Sequence, residues 1–216
     1  IRIGEPSKAR SAHLKEKYKV GVSANNLEIL DGSTIVILAV KPQILSQVMN
    51  ELGPRLNENQ VVLSIVAGAT LGTLMKGLEH SSIIRVMPNT PAQIGAGMTV
   101  WTTSTTVSKS MTSLAQDILC TLGKELYVPD EKLMDMATAL SASGPAYIFL
   151  FIEALIDAGV YLGMPREMAR KLVIQTVMGS TMLVQETGKH PADLKDLVSS
   201  PGGGTVEALM TLEQTG

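Results

Sequence analysis

The stretch Ser199-Ser200-Pro201-Gly202-Gly203-Gly204-Thr205 runs directly into a helical pattern at Val206. Consecutive glycines can fold so that several backbone N–H groups converge on one anion beside a helix N-terminus. Nothing in the chain matches the lysine-bearing phosphate loop, so the expected anion is a carboxylate. The bland alternative is a flexible linker, although linkers seldom lie between two helical stretches and end in a Thr able to cap the second.

Three further segments close apolar, β-branched runs: Ala39-Val40-Lys41-Pro42, Val66-Ala67-Gly68 and Met87-Pro88-Asn89-Thr90-Pro91. Taken singly they read as a surface Lys before a helix-starting Pro, a turn, and an ordinary loop. Taken together they place small residues, a Lys and a rigid X-Pro path at the carboxyl ends of consecutive strands, where open α/β sheets bind ligands. They outline a crevice for a dinucleotide. Ser141-Ala142-Ser143-Gly144-Pro145-Ala146-Tyr147 interrupts a helical stretch, as a plain kink or as a point where Gly-Pro restarts the helix and frees backbone N–H groups. Spacing shows no Ser-His-Asp or Cys-His pairing.

The elements that must hold these segments follow from periodicity. Strands are expected at 35–40, 61–66, 82–86, 98–101 and 125–128, with helices such as 43–52 and 107–122 between them. This β-α-β alternation predicts a parallel sheet covered on both faces. Ile-Val-Ile-Leu-Ala-Val and Val-Val-Leu-Ser-Ile-Val are almost continuously apolar, as a sheet hidden on both faces requires. From Pro129 the period becomes helical. Pro165 suits a first helical turn, Ala169, Leu172, Val173, Thr176, Ser180 and Leu183 then share one face, and Gly188 with Pro191 should end that helix. The expected fold is α/β: a Rossmann-like domain over 1–128, followed by an all-α domain over 129–216. With few aromatics in the helical half, we expect it to bury itself against a second copy.

The chain has 216 residues, 45% hydrophobic content and a formal net charge of −2. Its scattered Lys and Arg make no footprint for nucleic acid or an anionic membrane. Cys120 has no disulfide partner, and His13, His80 and His190 are too dispersed for a metal cluster, so a reducing compartment and a metal-free site are the defaults. The longest apolar run, Ala146 to Ile156, is broken by Glu153 and reads as too short to span a bilayer. Ile1-Arg2-Ile3 reads as the tail of a strand.

As a set, Ala39 to Pro42, Met87 to Pro91, Ser143 to Tyr147 and Gly188-Lys189-His190-Pro191 through Gly204-Thr205 resemble pyrroline-5-carboxylate reductases from end to end. The stretch 191–213 is the most specific. The resemblance implies hydride transfer from NADPH, with NADH accepted, to the C=N bond of 1-pyrroline-5-carboxylate, giving L-proline in the cytoplasm. It implies that Ser200, Gly202, Gly203 and Gly204 hold the substrate carboxylate and that the Thr205 hydroxyl lies near the imine nitrogen. It places Asn26, Ala39, Val40, Lys41, Pro42, Val66, Ala67 and Gly68 against the cofactor, with Asn89 and Thr90 near the nicotinamide, and pairs the helical halves into homodimers or larger assemblies. It also implies a first strand and Gly-rich turn in about 30 residues upstream of Ile1, so the Rossmann-like domain lacks its first strand, and a further helical segment beyond Gly216. Ala142 stands where the family usually has Gly. Glu5 could accept from a ribose 2′-hydroxyl, whereas Ser7, Lys8 and Arg10 could hold a 2′-phosphate. The alternatives are a reductase of another small imine or keto acid, and a non-catalytic dimeric interaction module.

Overall fold

The computed structural model describes residues 1–215; Gly216, the last residue of the expected helical domain, lies outside them. The elements are β1 (Arg2–Gly4), α1 (Lys8–Tyr18), β2 (Gly21–Ser23), α2 (Leu27–Leu30), β3 (Ile35–Leu38), α3 (Leu45–Leu52), β4 (Val61–Ser64), α4 (Leu71–Leu78), β5 (Ile83–Met87), β6 (Gly97–Thr103), α5 (Lys109–Cys120), β7 (Gly123–Tyr127), α6 (Lys132–Ala137), α7 (Gly144–Tyr161), α8 (Arg166–Thr187), α9 (Pro191–Leu197) and α10 (Gly204–Thr215). The chain divides into two compact units, Ile1–Ala146 and Tyr147–Gly216.

In the first unit, β1 and β2 form a parallel pair, and β3 to β7 form a separate five-stranded sheet in sequence order. Strands β3, β4 and β5 are mutually parallel, but β5 and β6 run antiparallel, which corrects the expected all-parallel sheet. Only residues 88–96 join them. A parallel crossover needs a dozen or more residues, so this link can only reverse the chain. The second correction is at β3. Val36 and Leu38 are buried with α3 and α4, while Ile37 on the opposite face is 49% exposed. Helix α5 covers that face at β4, β5 and β6 through Ala115 and Leu119, and on the edge strand it reaches the partly buried Ile35 but leaves Ile37 uncovered. Strands β4 and β5, inside the sheet, are buried at every position.

The segment 138–142 does not interrupt the helix; it widens it. Helices α6 and α7 form one continuous helix, Lys132–Tyr161, through a π turn at Thr138–Ala142 in which Ser143 N–H donates to Thr138 O at 2.9 Å. Pro145 has no N–H to give the Ser141 carbonyl four residues before it, so the regular ladder is broken at that point. This helix has 30 residues and contains an 18-residue window of mean hydropathy 1.6, so by length and composition alone it is long and apolar enough to cross a membrane, where the Glu153 break led us to expect a shorter run. Phe149, Leu150 and Phe151 on it are between half and two-thirds exposed.

In the second unit, Ala169 is the one fully buried side chain among the described residues, and it sits where a Cβ on Gly159 would be only 2.9 Å from its own. Helix α8 ends as expected at Gly188, whose φ of +62° lets its N–H reach Val184 O. Its apolar residues are not confined to one stripe: Leu172, Ile174, Met178, Met182 and Leu183 are all exposed. A helix apolar on several faces belongs in an interior, and this unit alone supplies too little bulk to provide one.

Candidate functional site

The carboxyl ends of β3, β4 and β5 lie side by side because Leu38 pairs with Ser64 and Ser64 with Arg85 across parallel ladders. Adjacent strands are about 4.8 Å apart, so the three loops that follow form one continuous edge. Ala39, Lys41 and Pro42 are exposed there, and Val40 leans on the core. Lys41 is extended, and Pro42 opens a single 3-10 turn that feeds α3. Val66 is a core side chain at 3% exposure, so only its backbone meets the edge. Ala67 and Gly68 are exposed. Gly68 has φ +76° with open space around the missing Cβ, which leaves bare backbone where a flat ligand can lie close.

Asn89 is partly buried and clasps two elements. Its Oδ1 accepts from Met98 N–H at 2.9 Å, and its Nδ2 donates to Ser141 O at 3.3 Å. The carbonyl freed by Pro145 therefore finds its donor here, and the Pro88–Thr90 loop is tied both to β6 and to the π turn. Thr90 is exposed beside it. The Ser141 hydroxyl is buried without a hydrogen-bond partner.

Asn26 is not joined to this edge. Its Nδ2 donates to Glu51 Oε2 at 3.0 Å in the last turn of α3, the end of that helix farthest from the Lys41-Pro42 loop. Near the amino end of α1, Glu5 accepts from Ser7 N–H at 2.9 Å and pairs with Arg10 at 3.2 Å, so the two candidates for opposite cofactor preferences hold each other.

Within the second unit, Ser200-Pro201-Gly202-Gly203 closes a turn in which Gly203 N–H donates to Ser200 O at 2.9 Å. Pro at the second place and Gly202 with φ +69° at the third are what a type II turn requires. Helix α10 begins at Gly204, so Thr205 lies inside its first turn and is not the cap expected from sequence. The first N–H groups of a helix have no carbonyl of their own to bond, so Gly204 and Thr205 present donors beside an exposed Thr hydroxyl. Such an end attracts a carboxylate. Ser199 is spent locally, its hydroxyl donating to Lys195 O at 2.8 Å.

Sequence reading missed the charged cluster under the sheet edge. Arg85, 2% exposed, pairs with Glu131 at 2.8 Å and Asp135 at 2.9 Å. The partners are 46 and 50 residues away along the chain, and no local pattern joins them. Among the described residues, no group of three His, Cys, Asp or Glu is placed to hold a metal ion.

Comparison with known proteins shows the family and the fold. A family model described as pyrroline-5-carboxylate reductase dimerisation matches residues 131–216, and one described as NADP oxidoreductase, coenzyme F420-dependent, matches residues 1–68. The pyrroline-5-carboxylate reductase of Synechocystis is 45% identical over 216 residues, which is all of this chain and 80% of that one. The crystal structure of the Streptococcus pyogenes 1-pyrroline-5-carboxylate reductase is similar at a TM-score of 0.90 and 34% identity, covering 100% of this chain and 82% of that one. The Plasmodium falciparum pyrroline carboxylate reductase, solved with NADP bound, has a TM-score of 0.86 and 37% identity over 91% of this chain and 74% of its own.

Proposed function

This chain belongs to the pyrroline-5-carboxylate reductase family, and from that premise we propose that it reduces the C=N bond of 1-pyrroline-5-carboxylate to L-proline with a hydride from NADPH, accepting NADH as well. Its likeness to the Synechocystis reductase over every one of its 216 residues is the observation that carries the reading.

Residues 1–128 hold the cofactor and residues 129–216 hold the substrate and form the dimer. The exposed edge at Ala39 to Pro42, the bare backbone at Ala67 and Gly68, and Thr90 beside the Asn89 clasp receive the dinucleotide. Asn26, its Nδ2 held by Glu51, is assigned to the cofactor as well. The substrate carboxylate sits at the start of α10, where the turn built by Ser200, Gly202 and Gly203 aims the N–H groups of Gly204 and Thr205. A Thr hydroxyl is too weak an acid to protonate an imine, so Thr205 orients the ring nitrogen by hydrogen bonding. The proton reaches that nitrogen from water or is already present on it. The exposed apolar faces of α7 and α8 are covered by a second copy, in keeping with the dimerisation family over residues 131–216. The cytoplasm is the expected location.

A series of five- and six-membered cyclic imino acids and open-chain keto acids, assayed for NADPH oxidation, tests the substrate. The five-membered imine should lead in kcat/KM by at least about tenfold, the usual worth of one misplaced methylene. Equal or better turnover of another member would transfer the chain to a different imine or keto-acid reductase. Failure to bind any nicotinamide cofactor would make it a dimeric interaction module.

A further inference from the structure

Arg85 lies on the face of β5 between two apolar clusters, with Ile83 in the one under α3 and α4 and Met87 in the one under α6. A guanidinium at 2% exposure belongs there only if its donors are met. Two of them are: Nη1 donates to Glu131 Oε1 at 2.8 Å and Nη2 to Asp135 Oδ1 at 2.9 Å, while Nε has no partner.

The same Glu131 Oε1 also accepts from Leu71 N–H at 2.7 Å. Leu71 is the first residue of α4, directly after the Val66-Ala67-Gly68 turn and Ala69-Thr70. Thr70 caps the helix by accepting from Thr73 N–H at 3.1 Å and leaves the Leu71 N–H to Glu131. One carboxylate oxygen thus joins the middle strand of the sheet, the start of α4 and the start of α6. The anion also sits where the α4 dipole favours it.

We infer that Glu131, held by buried Arg85, is a positioning residue for cofactor binding: through the Leu71 N–H it sets where the Ala67-Gly68 backbone lies at the sheet edge. This rests on the reading that Ala67 and Gly68 meet the dinucleotide. Asp135, 74% exposed at its side chain, steadies Arg85, and its carboxylate has no hydrogen bond to α4 among the described residues.

The test is NADPH binding by the full chain, followed by fluorescence titration and paired with thermal unfolding. Glu131→Ala should raise the NADPH Kd about tenfold and leave the KM for pyrroline-5-carboxylate within about twofold. Glu131→Gln keeps an oxygen for Leu71 and should recover most of that loss. Asp135→Asn should lower Tm with no change in Kd. If Glu131→Ala does not fold, Leu71→Pro deletes the same donor without breaking the helix. Proline suits a first helical position, and Thr70, at φ −76° and ψ 158°, has the extended backbone it needs before it. It should give the same rise in Kd. An unchanged Kd in folded Glu131→Ala or Leu71→Pro, or a loss in Asp135→Asn equal to that in Glu131→Ala, overturns the inference while the cofactor reading stands. If the wild-type chain binds no NADPH, both fall together.

Discussion

Replacing Asn89 separates its two bonds. In Asn89→Ala, Met98 N–H loses its acceptor, and Ser141 O loses a donor that Pro145 cannot replace. A buried polar group left unpaired costs about 1–3 kcal/mol, and both groups are only partly buried, so a total of roughly 2–3 kcal/mol is expected. In a chain of this length that lowers Tm by roughly 5–10 °C. Asn89→Asp is more informative. Its carboxylate can still accept from Met98 N–H but meets the Ser141 carbonyl oxygen where the amide donated, so at neutral pH it should be at least as destabilised as the Ala variant. Facing a carbonyl favours the protonated acid, which raises the folded-state pKa above the unfolded value. The stabilising O–H donation is then fully present below the unfolded value, about 3.9, and is lost as pH rises through the folded one. Urea unfolding at fixed protein concentration reads this directly through Trp101, the single tryptophan, 1% exposed in β6. Stability of the Asn89→Asp variant equal to wild type at neutral pH, or a deficit that does not shrink in acid relative to wild type, would refute the clasp.

Thr205→Ala should lower kcat by tenfold or more with the NADPH Kd nearly unchanged, because Thr205 is assigned to the substrate; stopped-flow turnover and cofactor titration separate the two, and equal loss of both would remove that role. Gly123→Ala places a Cβ against the Gly97 backbone at φ +131°, so it should cost at least about 2–3 kcal/mol in urea unfolding. Wild-type stability would show that the start of the β6–β7 ladder is not held so closely. Met178→Glu, on an exposed apolar stretch of α8, should weaken the dimer at least about a hundredfold by sedimentation, since the symmetric contact would bury two like charges.

Much of the frame was legible because burial leaves a mark on composition. Strand β4 is apolar on both faces and proved buried on both, and the Gly188 cap with Pro191 after it ended α8 as read. Periodicity says nothing about direction and so does not show the reversal between β5 and β6, although the link between the expected strands, residues 87–97, is already short of the dozen or so residues a crossover needs. The π turn was half visible: Pro145 showed that the ladder must fail, but not that Asn89 would supply the missing donor from another element. Thr suits a cap before a helix expected from Val206, whereas α10 starts two residues earlier, at Gly204. Arg85 was least legible. A charged residue inside an apolar strand reads as an exception until its partners, Glu131 and Asp135, arrive from a helix that no sequence pattern assigns to it.

The most direct test of the central claim is a single reaction with the purified chain, NADPH and 1-pyrroline-5-carboxylate, in which loss of NADPH absorbance and appearance of L-proline are followed together. The account predicts one proline formed for each NADPH consumed. NADPH binding without proline formation, or no binding by a folded dimer, would contradict it.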